Sequence, residues 1–163
     1  MTPFDTRCEA TVLKLGEQLR ARGVMLATAE SCTGGLIAAV CTSVAGSSDW
    51  FERGFVTYSN AAKTEMLGVD AALIAAHGAV SAEVACAMAE GALAHSRATL
   101  AIAVTGIAGP GGATPGKPVG TVWFALVQRG GVARAELLQL SGDRTAVREK
   151  TVVHALQRLL AMP

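Results

Sequence analysis

The stretch "LATAESCTGG", residues 26–35, carries the chain out of one apolar segment and into another. The segment that leads into it, residues 24–29, is short and apolar, which is typical of a buried strand. After it, apolar residues recur at helical spacing over residues 34–42. A buried strand followed directly by a helix predicts a β–α unit, the building block of α/β folds.

The rest of the sequence repeats this alternation of strand and helix. Periodicity and capping residues predict further helices over residues 6–22, 60–68, 69–78, 81–95 and 141–160. Apolar runs predict further strands over residues 54–59, 99–105, 119–128 and 132–140, the last two joined as a hairpin by "RGG". We therefore predict an α/β fold: a three-layer α/β/α sandwich with a mixed, mostly parallel sheet of about five strands, one of them antiparallel.

The composition excludes several classes of function. With 51% hydrophobic and 17% charged residues over 163 positions, the chain is typical of globular proteins, and no linker interrupts it, which predicts a single domain over residues 1–163. The net charge of +1 offers no basic patch, so we expect no nucleic-acid binding. The three histidines are far apart in the sequence, so we expect neither a metal site nor a cofactor.

Cellular location and assembly are expected from the same totals. No apolar run approaches the roughly 20 residues that cross a bilayer, and the sequence contains neither a secretory signal nor a CxxC pair. We therefore expect a reduced, cytoplasmic protein with no membrane contact. An apolar surface patch on such an alanine-rich chain favours a homodimer or a higher homo-oligomer.

Polar, loop-forming residues follow three of the predicted strands. These strand ends are Glu30-Ser31, Tyr58-Ser59-Asn60 and Thr105-Gly106. Ligands of open α/β sheets bind beyond the carboxyl ends of the strands. The sequence therefore predicts that these three ends converge on one crevice.

Ser31 admits two interpretations. A serine just before a helix is an ordinary N-cap, whose side chain accepts from the first helical amides. Alternatively, Ser31 is a nucleophile at the positive end of the helix, where the backbone N–H groups from Cys32 to Gly35 are free to hold an oxyanion. Cys32 is a rival nucleophile, because a helix N-terminus lowers the pKa of a thiol, or else a small residue that fills the core.

Lys63 occupies the first turn of a predicted helix that Ser59 or Asn60 caps. The helix macrodipole disfavours a cation there. Together with partial burial, that repulsion would lower the pKa of Lys63 and make its amine a general base. The alternative is a lysine whose side chain extends into solvent.

The segment "VTGIAGPGGATPGKP", residues 104–118, is a glycine- and proline-rich loop. It resembles a nucleotide-binding P-loop, but Pro118 stands where that motif needs Ser or Thr and a strand follows, which excludes a P-loop NTPase. Its amides can still cradle a phosphate, or the loop is a flexible connector. Thr105 can donate a hydrogen bond into the crevice. Arg144, with Arg148 one turn further on, can reach an anionic group or remain a surface residue.

Six segments together resemble the CinA C-terminal domain family, which includes stand-alone nicotinamide-nucleotide amidohydrolases. They are "AESCTGG", "GFVTYSNAAKTEMLGV", "HGAVSAEVACAMAEGA", "AVTGIAGPGG", "KPVGTVWFAL" and "GDRTAVR", and they cover about residues 8–160 in the order of the family. The resemblance implies an α/β/α sandwich that is usually dimeric. It also implies hydrolysis of the carboxamide of nicotinamide mononucleotide (NMN) to nicotinate mononucleotide and ammonia.

The resemblance implies a serine–lysine pair that works without a metal, and these roles fall on Ser31 and Lys63. Tyr58, Thr105 and Arg144 match family positions that line the site. On this hypothesis the amides of Cys32, Thr33 and Gly34 hold the oxyanion, and the phosphate of a pyridine nucleotide meets Arg144 and the loop amides. The loop residues concerned are Gly109, Gly111 and Gly112.

Two questions stay open at the level of sequence. Tyr58 either stacks on the pyridine ring or hydrogen-bonds the catalytic pair. The chain could also be a non-catalytic nucleotide-binding module, or an interaction partner of DNA-uptake or repair proteins.

Overall fold

The computed structural model of the chain describes residues 3–163. Its helices are α1 (Pro3–Ala21), α2 (Leu36–Cys41), α3 (Asn60–Leu67), α4 (Ala71–His77), α5 (Ala82–Ala94) and α6 (Arg144–Leu160). Its strands are β1 (Leu26–Glu30), β2 (Phe51–Val56), β3 (Leu100–Gly106), β4 (Thr121–Gln128) and β5 (Arg134–Gln139). A single 3₁₀ turn, Ser47–Asp49, precedes β2.

The five strands form one sheet in the order β2-β1-β3-β4-β5. β1 pairs in parallel with both β2 and β3, whereas β4 pairs antiparallel with β3 and with β5. Only β4 therefore runs against the other four strands. The prediction of a mixed, mostly parallel sheet of five strands is confirmed.

Hydrophobic cores on the two faces of the sheet create the three layers. On β3, Leu100 and Ile102 point to one face, into a core shared with α1, α2 and α6, while Ala101 and Ala103 point to the other. Alanine on that second face lets α5 lie close to the strands. α5 also packs closely against α3 at Gly91. A Cβ added at Gly91 would collide with the carbonyl oxygen of Leu67.

Several predicted element boundaries differ from the structure, and two of them concern the carboxyl edge of the sheet. The helix predicted from residue 34 begins at Leu36, because Gly34 and Gly35 have φ angles of 61° and 96°, in the left-handed region that an α-helix excludes. The strand predicted over residues 54–59 runs instead from Phe51 to Val56. Its three final predicted residues form the link into α3, which frees them to contribute to a site.

The sheet brings three strand ends to one edge, as the parallel pairing of β1, β2 and β3 requires. The N–H of Ser31, just past β1, donates to the carbonyl of Val104 on β3 at 3.0 Å. The N–H of Thr57, just past β2, donates to the carbonyl of Glu30 at 2.9 Å. Residues at the ends of the three strands are thus neighbours.

Candidate active site

A cleft of about 310 Å³ lies at the carboxyl ends of β1, β2 and β3. Nine of the residues predicted for the site line it: Ser31, Cys32, Tyr58, Lys63, Thr105, Gly109, Gly111, Gly112 and Arg144. Thr33 and Gly34 are not among the lining residues. Asn60 and Gly106, from the predicted strand ends, also line the cleft. The wall further contains residues that the sequence analysis did not single out, namely Ala79, Val80, Ile107 and Ala108. Most of these are small apolar residues in loops, a pattern that no sequence motif distinguishes.

Lys63 is enclosed by the protein, with only 1% of its surface exposed. Ser59 starts α3 by accepting a hydrogen bond from the N–H of Ala62, and this places Lys63 in the first turn. From there Nζ lies 3.0 Å from Ser31 Oγ, 2.8 Å from the carbonyl oxygen of Thr57 and 3.3 Å from that of Tyr58. The alternative of a lysine extending into solvent is wrong.

Burial lowers the pKa of Lys63, because the charged form loses its hydration. Within residues 3–163, no carboxylate lies at ion-pair distance from its Nζ to offset that loss. When it is protonated, Nζ can donate to all three oxygens. A neutral amine keeps two N–H groups for the two carbonyls, and its lone pair can then accept the hydroxyl proton of Ser31. The arrangement can therefore withdraw a proton from Ser31.

Ser31 is not the cap of α2, so that interpretation was wrong. The N-cap of α2 is Gly35, which has no side chain, and the first helical amides are taken by Glu30 instead. The carboxylate of Glu30 accepts from the N–H of Ile37 at 3.0 Å and from that of Ala38 at 2.8 Å. The Ser31 hydroxyl is thereby left free to contact Lys63.

Glu30 is the residue that the sequence analysis missed as a structural determinant. It is 1% exposed and also accepts from the hydroxyls of Thr33, at 2.6 Å, and Thr28, at 3.4 Å. A carboxylate at the end of the apolar strand "LATAE", followed by a turn and a helix, was the available signal. In the structure, the carboxylate of Glu30 neutralises the partial positive charge at the start of α2.

The candidate oxyanion site is therefore the turn itself and not the helix end. The N–H of Gly34 donates to the carbonyl of Ser31 at 3.0 Å, so this predicted amide is occupied. For the N–H groups of Cys32 and Thr33, no backbone oxygen in the described part of the chain is an acceptor. Those two amides remain available to a negatively charged oxygen.

The thiol of Cys32 is poorly suited to be the nucleophile. Burial raises its pKa to about 12, so the thiol stays protonated at neutral pH. The sequence analysis considered a helix end that lowers the pKa of Cys32. Glu30 occupies that helix end instead, and its charge also raises the pKa of Cys32.

The side chains of Thr105, Arg144 and Arg148 make hydrogen bonds within the protein. Thr105 donates its hydroxyl hydrogen to the carbonyl of Ala79 at 2.9 Å, and so does not present a free donor to the cleft. Arg144 bridges the cleft: Nη1 donates to the carbonyl of Gly109 and Nη2 to the hydroxyl of Tyr58, both at 3.0 Å. Arg148 lies away from the cleft and donates from Nη2 to the carbonyl of Thr33 at 2.9 Å.

Metal-binding clusters and membrane-spanning helices are both absent from residues 3–163. Among them, no three His, Cys, Asp or Glu side chains are grouped so that they could hold a metal ion. No helix in residues 3–163 combines the length and the apolar character that crossing a membrane requires.

The sequence and the fold both match known proteins. Residues 9–162 match the family described as the CinA C-terminal domain. This chain belongs to the CinA C-terminal domain family. CinA-family structures share its fold: the competence/damage inducible protein CihA from Agrobacterium tumefaciens superposes with a TM-score of 0.92 at 46% identity, over 99% of this chain and 97% of that one.

Several relatives of this CinA-family chain are named for an activity. Nicotinamide-nucleotide amidohydrolase PncC of Escherichia coli (strain K12) is 55% identical over 148 residues, which is 90% of this chain and 88% of the relative. The protein of the same name from Pseudomonas putida is 54% identical over 149 residues, 91% of this chain and 92% of the relative.

Proposed function

We propose that this chain hydrolyses the carboxamide of NMN to nicotinate mononucleotide and ammonia, with Ser31 as the nucleophile and Lys63 as the general base. The observation that carries the proposal is the buried contact of 3.0 Å between Lys63 Nζ and Ser31 Oγ, at the wall of a cleft. The names of the E. coli and P. putida relatives support the substrate.

In the first half of the reaction, the neutral amine of Lys63 takes the proton of the Ser31 hydroxyl as Oγ attacks the carboxamide carbon. The carbonyl oxygen becomes an oxyanion, which the amides of Cys32 and Thr33 stabilise. The protonated Lys63 then gives its proton to the amide nitrogen as the C–N bond breaks. Ammonia leaves, and the nicotinoyl group remains as an ester on Ser31.

In the second half, a water molecule replaces ammonia. Lys63 accepts a proton from this water, whose oxygen attacks the ester carbon. The bond to Ser31 Oγ then breaks, and Lys63 returns the proton to the serine oxygen. The products are nicotinate mononucleotide and the free enzyme.

The lining of the cleft combines two kinds of group that fit a pyridine nucleotide. Ala79, Val80 and Ile107 are apolar and suit an aromatic ring. Arg144 and the glycine-rich loop also line the cleft, and no carboxylate of the described residues forms an ion pair with this arginine. The guanidinium and the loop amides would bind the phosphate.

Tyr58 is assigned to the entrance of this cleft. Its hydroxyl accepts from Arg144, while its carbonyl oxygen and not its hydroxyl meets Lys63. These contacts favour a ring that flanks the nucleotide over a hydroxyl that hydrogen-bonds the catalytic pair.

The direct test measures ammonia release from NMN by the wild-type chain and by Ser31→Ala and Lys63→Met. We expect turnover by the wild type and a loss of at least about 10³-fold in each variant, because each change removes a reacting group. The matched controls are Ser43→Ala and Lys150→Met, which alter the same residue types away from the cleft and should stay within about twofold of wild type.

Two other outcomes would favour a different function. A wild-type chain that binds NMN but releases no ammonia would be a non-catalytic nucleotide-binding module. Absent turnover, together with binding of a DNA-uptake or repair protein that survives both site substitutions, would favour an interaction protein.

A further inference from the structure

The turn that carries Ser31 has little regular structure to fix its shape. Residues 31–35 lie between β1 and α2, and two of them are consecutive glycines with positive φ. Two short-range backbone hydrogen bonds close it, from Gly34 to Ser31 at 3.0 Å and from Leu36 to Thr33 at 3.2 Å. Because glycine restricts the backbone so little, other contacts must hold the turn.

Thr33, in the middle of this turn, is held through its side chain. Its buried hydroxyl donates to Glu30 Oε2 at 2.6 Å, the shortest of the bonds that this carboxylate accepts. The same carboxylate also accepts from the first amides of α2. The hydroxyl of Thr33 therefore ties the turn to the end of β1 and to the start of α2 at once.

Thr33 is also held through its main chain, by a residue of α6. Arg148 on α6 donates from Nη2 to the carbonyl oxygen of Thr33 at 2.9 Å. Its Nε is buried with no hydrogen-bond partner among the described residues, and no carboxylate there forms an ion pair with it. A buried and unpaired N–H is unfavourable for folding, so stability alone does not explain this arginine.

No side chain of these three residues lines the cleft, so each side chain can act on the reaction only through the turn. We propose that Thr33 is a positioning residue for the catalytic pair. The hydrogen bonds of its hydroxyl to Glu30 and of its carbonyl to Arg148 hold the turn so that Ser31 Oγ lies at hydrogen-bond distance from Lys63 Nζ. The inference rests on the catalytic pair proposed above. A reacting group displaced by about 1 Å loses on the order of 10²-fold in rate.

Thr33→Val tests the hydrogen bond from Thr33 to Glu30, because valine keeps the shape of threonine and removes only the hydroxyl. We expect kcat for NMN to fall about 10- to 100-fold, with KM within about threefold of wild type. The matched control is Thr151→Val: Thr151 is equally buried, and its hydroxyl donates to the carbonyl of Val147 on α6, away from the cleft. It should keep kcat within about twofold.

Thr33→Ser separates positioning from mere destabilisation. Serine restores the hydroxyl but not the methyl group, so it should regain most of the lost kcat although it packs less well than valine. Equal kcat values for Thr33→Val and Thr151→Val overturn the proposal. So does an equal loss in Thr33→Val and Thr33→Ser.

A second measurement does not depend on NMN. A fluorophosphonate probe forms a bond from the Ser31 oxygen to phosphorus with loss of fluoride, and its labelling rate should fall in Thr33→Val by the same factor as kcat. If wild type releases no ammonia from NMN but Thr33→Val is still labelled more slowly than wild type, NMN is not the substrate and the positioning role of Thr33 stands. Equal labelling rates in Thr33→Val and Thr151→Val, or no labelling of Ser31 in wild type, refute the positioning role whatever the substrate.

Discussion

Lys63 is among the largest side chains that this protein buries completely, and its charged form has no carboxylate partner within the described chain. Burial penalises the ammonium form far more than the neutral amine, so the fold itself favours the form that can accept a proton. The sequence indicated the position, because a lysine in the first turn of a helix is unusual. It did not indicate the depth of burial, which depends on packing between α3, β1 and the link that follows β2.

The pKa of Lys63 makes the stability of the protein depend on pH. A lysine in the unfolded chain titrates near 10.4, and Lys63 titrates lower in the folded chain because it is buried. Between those two values the unfolded state binds more protons, so the free energy of unfolding rises as pH increases. The change is at most about 1.4 kcal/mol per pH unit.

Lys63→Met removes this titration and provides the comparison. Urea unfolding at pH 8, 9 and 10 should show the free energy of unfolding of wild type increasing relative to that of Lys63→Met. Other titrating groups are common to both chains and largely cancel in the difference. Two curves that stay parallel up to pH 10 would mean that the pKa of Lys63 is not lowered.

At the scale of the element, regular strands and helices were predictable from short-range patterns, whereas the start of α2 was not. A periodicity that begins at Gly34 cannot reveal that two glycines adopt left-handed conformations. Nor does it reveal that Glu30, seven and eight residues before Ile37 and Ala38, supplies the cap. Sequence rules for caps look one to three residues ahead of a helix, so a cap that reaches across a turn escapes them.

The link between β2 and α3 shows the same limit. Thr57 and Tyr58 are residue types that favour strands, and the N–H of Thr57 still donates to the carbonyl of Glu30. Their carbonyl oxygens, however, accept from Lys63 Nζ. The strand ends early because these groups are used by a side chain from the next helix. A long buried side chain thus overrides the local preference for a strand.

At the scale of the molecule, the order of the strands brings Ser31 and Lys63 together across 32 residues of sequence. β1 and β2 are parallel neighbours, so their carboxyl ends lie side by side, and α3 begins at Asn60, directly after the short link that follows β2. The convergence of strand ends was predictable once a parallel sheet was expected. The contacts of Arg144 and Arg148 were not, because they depend on where α6 lies after the hairpin β4–β5.

The edge strand β2 leads us to expect a homodimer. Val56 and Tyr58, at and just past its end, are 46% and 59% exposed, and Met66 on α3 is 42% exposed. Apolar side chains beside an unpaired strand edge are typical of an association surface. Light scattering should give twice the 16.6 kDa of one chain, and Val56→Lys should shift the mass towards the monomer. A mass of one chain at every concentration would contradict this expectation.

The measurement that tests the account most directly is the titration of Lys63 itself, followed by NMR with ¹³C-labelled lysine. The chain has four lysines, and Lys63→Met identifies which of the four signals is that of Lys63. We expect the pKa of Lys63 to lie below the roughly 10.4 of a lysine in water, because the side chain is buried. A Lys63 signal that titrates at or above that value would contradict the proposed mechanism, because a protonated amine cannot take the proton of Ser31.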